Sequence, residues 1–190
     1  MPHRTGPRVG LRGFNRVLKE YRSLSTWAVG SAAAPFAASL ASLQPPWPKG
    51  VVVLTGLLQI VALILVYHFV GRLARKHVDK LIAGSAVVLL CFSVLYLACA
   101  LRFTYEAGPK HELSAKGYVC TQLAMTMYPD DCPDFSNQAL SKVEYEATAL
   151  WTKESVRNVQ LMLFMIWATI FAALSTLIGS FIVFQARPAT

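Results

Sequence analysis

Stretches of chain long enough to cross a bilayer, and free of any formal charge, constrain this sequence more than anything else in it. Residues 51–70 and 81–101 each hold roughly 20 residues without a charge, and residues 159–186 hold more. As α-helices such runs reach about 30 Å, the thickness of a hydrocarbon core, and they have no polar face to turn toward water. Residues 24–43 form a fourth run, less apolar because it is rich in Ala and Ser, yet also uncharged. The expected fold is all-α: an integral membrane four-helix bundle, residues 23–186, preceded by a basic segment, residues 1–22.

Charge then sets the expected sidedness. The net charge is +8, which in a water-soluble chain would point to nucleic acid, but its distribution argues otherwise. Arg4, Arg8, Arg12, Arg16, Lys19 and Arg22 precede the first run, and Arg72, Arg75, Lys76 and Lys80 surround the connection between the second and third. The positive-inside rule places both segments in the cytoplasm. The connection 44–50 carries only Lys49, and the long loop 103–155 holds Glu106, Glu112, Asp130, Asp131, Asp134, Glu144, Glu146 and Glu154. Both fall on the other side. The expectation is a multi-pass protein with both termini cytoplasmic, its partner the lipid bilayer and not a nucleic acid.

Leu11, Phe14, Val17, Leu18 and Tyr21 recur at helical spacing opposite Arg12, Arg16, Lys19 and Arg22, the pattern of an amphipathic helix on the inner leaflet. A charged start followed by an apolar run also fits a signal peptide, which would remove the first span. Its length, and Pro35 within the run, favour a retained helix.

Within the runs, few residues invite a role. Gly30, Ala34, Ala38 and Ser42 lie four apart, stacking on one helix face that another backbone can approach closely, in the bundle or in a second copy of the chain. An Ala-rich helix also produces such spacing by chance. Gln59 sits near the middle of the second run, where an amide needs a partner, so it is expected to hydrogen-bond a neighbouring helix or to serve binding or conduction. His68 has no second ligand at a metal-binding spacing, and Cys91 and Cys99 read as small apolar fillers. Trp167, Thr169, Ser175 and Thr176 suit helix packing rather than chemistry.

The loop 103–155 is expected to form a small extracytoplasmic cap between the third and fourth helices. Cys120 and Cys132 are the cysteines on the side that permits disulfides, and a bridge between them would close a short loop. The acidic turn of Asp130, Asp131 and Asp134 lacks the spacing of a calcium loop. Ser141 and Glu144 fit a capping box, and Leu140, Val143, Ala147, Leu150 and Trp151 share a helical stripe, predicting one amphipathic helix on the membrane surface. Thr152 is placed to cap the fourth span, and Tyr105 to anchor the end of the third at the interface. Residues 108–120 fit either a hairpin or an irregular loop.

Four spans with cysteines in the last outer loop resemble the quinone-linked disulfide oxidases. Those need a second redox pair in the first outer loop, and Gln44 to Gly50 contains no cysteine, so that chemistry is lost. Tetraspanins share the outline but require a Cys-Cys-Gly signature that is absent here. Pro45, Pro46, Trp47, Pro48, Lys49 and Gly50 before the second span, Arg102 to Tyr105 after the third, and Leu150 to Val156 entering the fourth form a pattern that resembles small bacterial four-helix membrane proteins. That resemblance implies a membrane effector or sensor of anti-phage defence in the bacterial inner membrane, with a cytoplasmic protein partner. The function expected is a non-enzymatic, oligomerising effector or signalling component that uses no cofactor and no metal; a structural or assembly subunit of a larger membrane complex is the alternative.

Overall fold

The computed structural model describes residues 30, 33–40, 43–70, 72–108 and 112–186. The basic segment 1–22, Ser42, Arg187, most of the first apolar run and the question of its cleavage lie outside the described residues. Within that run, residues 33–40 are helical and are labelled α1.

Among the described residues, three helices are long and apolar enough to cross a membrane: α2 (Val51–Val70), α3 (Arg75–Phe103) and α7, which spans Lys153–Ala186. The bounds of α2 are those read from the sequence. Helices α3 and α7 run beyond the uncharged stretches, because the backbone ladder has no reason to stop where the apolar side chains do. At 34 residues, α7 is about 50 Å long. Thr152 opens it as expected, its hydroxyl accepting from Ser155 N–H at 3.4 Å, with Glu154 in the first turn complementing the helix dipole.

Helix α7 is the axis of the arrangement, packing along both α2 and α3, which meet each other far less. Trp167 of α7 reaches Thr55 near the start of α2, and Gly179 lies against Val66 near its end, so α2 and α7 run parallel and α3 returns between them in sequence. A tight turn joins α2 to α3, with Arg72 and Leu73 N–H groups donating to Phe69 and Val70 carbonyls. Val70, Val78 and Val183 close that end, and the Arg75 guanidinium lies 4.7 Å from the ring centre of Phe184. The connection from Leu43 to Gly50 lies at the opposite end, where Trp47 meets Phe164 edge-on at 6.4 Å.

The same end carries the cap. Its first element is a hairpin, β1 (Thr104–Ala107) against β2 (Glu112–Ala115), antiparallel with Thr104 opposite Ala115. It leaves α3 directly, and it resolves the open reading of residues 108–120 while adding a small sheet to a fold expected to be all-α. Three short helices follow: α4 (Gln122–Met127), α5 (Asn137–Lys142) and α6 (Ala147–Leu150). Cys120 and Cys132 are joined by a disulfide.

Trp151 is the centre of this cap. It has no exposed surface, packs Phe135 at 5.3 Å and Tyr105 at 5.9 Å between ring centroids, and donates its indole N–H to the Pro133 carbonyl at 3.0 Å. Tyr105 is likewise buried, where an interface anchor was expected, and its hydroxyl donates to the Tyr145 carbonyl. Burial raises the Tyr105 pKa above 10.0, against a smaller lowering by the Ser114 hydrogen bond, so the phenol stays a proton donor.

The single amphipathic helix expected over residues 140–151 is broken. Ser136, not Ser141, caps α5, and Glu144 and Tyr145 take left-handed φ of 54° and 62°. Each such residue costs about 1–2 kcal/mol. The turn places Leu140, Leu150 and Trp151 in one core, which a straight helix lying on a surface could not do.

Gly117 is required by close approach. A Cβ there would stand 2.5 Å from Trp151 Cβ, closer than real side chains come. Gly117→Ala should therefore open the cap, at a cost of about 1–3 kcal/mol, and reduction of the disulfide should remove about 3 kcal/mol by the chain-entropy relation. Both should appear as faster hydrogen exchange of the Trp151 indole; an unchanged exchange rate in Gly117→Ala would show that the cap is not packed around Trp151.

Candidate functional site

Helix α2 is built inside out. Its buried residues are Val51, Thr55, Gly56, Gln59 and Val70, whereas Val53, Leu57, Ile60 and Ile64 are exposed. Thr55 and Gln59 are four apart, hence on one face, and that polar face is turned toward α7. In water this would expose aliphatic surface and bury polar atoms; in hydrocarbon it is the economical arrangement, since polar groups bind helices and aliphatic ones face lipid.

The polar seam starts at Trp167. Its indole N–H donates to Thr55 Oγ1 at 3.0 Å, and the Thr55 hydroxyl donates to the Val51 carbonyl at 2.7 Å. Tyr96 of α3 and Phe171 lie 5.5 and 4.7 Å from the Trp167 ring, and the Tyr96 hydroxyl donates to the Leu43 carbonyl. One indole thus ties α2 to α7 while contacting α3. Farther along, Ser175 and Thr176 satisfy their hydroxyls on Phe171 and Ala172 carbonyls of their own helix, and Ser85 does the same on Ile82.

Gln59 is different. It is fully buried, one turn past Thr55, and neither Oε1 nor Nε2 has a hydrogen-bond partner. The interhelical hydrogen bond expected from the sequence is not made, while the Trp167 indole one turn away is already committed to Thr55. Ser180 Oγ is a third buried polar atom without a partner. Leaving such groups unpaired costs about 1–3 kcal/mol each on protein mutational scales.

The small-residue face is only partly engaged. Ala34 and Ala38 pack against the main core, but Gly30 is exposed and a Cβ there would touch nothing within 4 Å. The close approach lies elsewhere, at Gly179, where a Cβ would come within 2.8 Å of Val66 Cγ1. Cys91 is exposed on α3 and Cys99 packs against the core. His68 is exposed beside Phe69. In the acidic turn, Asp134 pairs with Arg102 at 2.7 Å.

Among the described residues, no three His, Cys, Asp or Glu side chains gather as a metal site requires. A half-open apolar cleft of about 170 Å³ lies where Leu43, Tyr96, Leu97, Leu101 and Leu113 meet, and it contains no paired nucleophile and base. The arrangement offers intramembrane polar contacts and a rigid cap. Set against known protein families, curated proteins and solved structures, the chain matches none.

The Thr55–Trp167 pair and Gly117 were missed from the sequence. Thr55 and Gln59 at a spacing of four were the available signal for the seam, since two polar residues on one face of an otherwise aliphatic helix mark the side that seeks a partner. Gln59→Leu should stabilise the detergent-solubilised protein by about 1–3 kcal/mol, because it removes an unpaired amide and keeps the volume apolar. Trp167→Phe should destabilise it by about 1 kcal/mol through loss of the donor to Thr55. Reversible unfolding in mixed micelles measures both, and a strongly destabilising Gln59→Leu would mean that the amide has a partner in the membrane.

Proposed function

We propose that this chain is a four-span protein of a bacterial inner membrane, with both termini cytoplasmic, that works by assembling copies which permeabilise the bilayer or pass a signal across it. The observation that carries this reading is Gln59: a fully buried amide without a partner, in a helix whose exposed face is aliphatic. Intramembrane polar side chains are costly and mark functional sites, where they pair with another group or face water. The second arrangement here is an assembly in which α2 presents Gln59 to another helix or to water.

The sidedness rests on the basic residues flanking α1 and the α2–α3 turn, and on the acidic cap. The parallel course of α2 and α7 supports it, since the connection 43–50 and the cap then share one end of the molecule. The sequence resemblance to membrane effectors adds anti-phage defence, with a cytoplasmic partner that releases the effector.

Reporters fused after Asp134 and after Lys76 should be active on the extracytoplasmic and cytoplasmic sides respectively. Both on one side would overturn the four-span topology. Induction of the protein, alone or with its neighbouring genes, should depolarise cells and arrest growth. At matched membrane expression, Gln59→Leu should weaken the effect by removing the polar contact, and Ala34→Leu by blocking approach at the α1 face. Absence of depolarisation under every condition would leave the reading of an assembly subunit in its place; toxicity equal in both variants would remove these two sites.

A further inference from the structure

The large exposed apolar side chains of the cap, residues 104–152, fall in one place. They are Tyr118, Val119, Leu123, Met125 and Met127, with Leu123 and Met127 each 60% exposed. Every one lies on α4 or just before it. No charged residue occurs between Lys116 and Asp130, although the rest of the loop is the most acidic part of the chain. Exposed apolar area concentrated in this way, with the charge kept off it, marks a contact surface.

Its position in the fold says what covers it. Val119 and Thr121 bond with the residues that immediately precede α7: Thr152 N–H donates to the Val119 carbonyl, and Thr121 N–H to the Leu150 carbonyl, both at 2.9 Å. Asn158 Nδ2 donates to the Tyr118 hydroxyl at 3.1 Å, and Asn158 directly follows Arg157, the last charged residue before the uncharged run of α7. Trp47 meets Phe164 slightly farther along the same helix. Partly exposed Tyr and Trp near one end of a long apolar helix are the pattern of side chains at the lipid–water boundary. The apolar segment therefore continues the lipid-facing surface of α7 outward, at the height where the bilayer ends.

We propose that the segment from Tyr118 to Met127 rests on the outer leaflet, its Leu and Met side chains among the first acyl carbons, so that the cap is held to lipid as well as to the helices. This rests on the membrane reading given above. The disulfide and Thr121, which caps α4 through Ala124 N–H and donates to the Ala149 carbonyl, keep the segment fixed in that position.

The test is spin-label accessibility in nanodiscs of a phosphatidylethanolamine–phosphatidylglycerol mixture, comparing dissolved oxygen, which partitions into lipid, with a water-soluble nickel chelate. Native Cys91, exposed on α3, is labelled in a Cys99→Ala background as the membrane control. Met125→Cys, Leu123→Cys and Asp131→Cys are labelled with Cys91 and Cys99 both replaced by Ala and the disulfide left oxidised. Labels at 123 and 125 should show a several-fold higher ratio of oxygen to nickel accessibility than the label at 131. Nickel accessibility at 123 and 125 equal to that at 131 would overturn the proposal, leaving the segment in water. Low accessibility to both reagents would overturn it in favour of a protein occupant. Nickel accessibility at Cys91 would overturn the membrane reading itself, and this proposal with it; a lipid-exposed Cys91 beside a water-exposed 125 overturns only the docking of the cap.

Discussion

One hydrogen bond, from the Trp167 indole to Thr55, joins α2 to α7. In hydrocarbon there is no hydrophobic driving force to hold helices together, so packing and the few polar contacts decide which faces meet. Trp167 supplies both. Its ring fills the space beside Tyr96 and Phe171, and its N–H fixes the rotation of α2. Turning α2 so that Thr55 faces away would bring Gln59 with it, because the two share a face.

That coupling explains why Gln59 is buried without a partner. The rotation that satisfies Trp167 and Thr55 carries Gln59 into the same interface, where neither of its amide atoms has a hydrogen-bond partner. Close contact at Gly179 and Val66 leaves little freedom to relieve it. A cost of about 1–3 kcal/mol is a large fraction of the stability of a small protein.

The cap follows the opposite logic, being too small to bury a large core. It relies on one aromatic centre, Trp151, on backbone contacts to the residues just before α7, and on a disulfide. Arg102 at the end of α3 pairs with Asp134 across the cap, but both are largely exposed and such a pair contributes little. Rigidity comes from Trp151 and Gly117, which lock the loop onto the top of α7.

The sequence by itself determined the long apolar helices, the bounds of α2, the Thr152 cap of α7 and the pairing of Cys120 with Cys132. Each is set by a local or compositional rule: bilayer length, absence of charge, a capping hydroxyl, or two cysteines within a short loop. Only the tertiary structure decided that α7 is the axis, that Trp151 and Tyr105 turn into the cap, and that the expected helix over residues 140–151 breaks at Glu144 and Tyr145. A helical stripe states that side chains share a face and not what the face meets. Here three-ring packing around Trp151 outweighed helix continuity. Gln59 shows the same division: its place in the span was legible, but its lack of a partner depends on which side of α7 it meets, and that is fixed by a tryptophan more than a hundred residues away, at a sequence separation of 112 from Thr55.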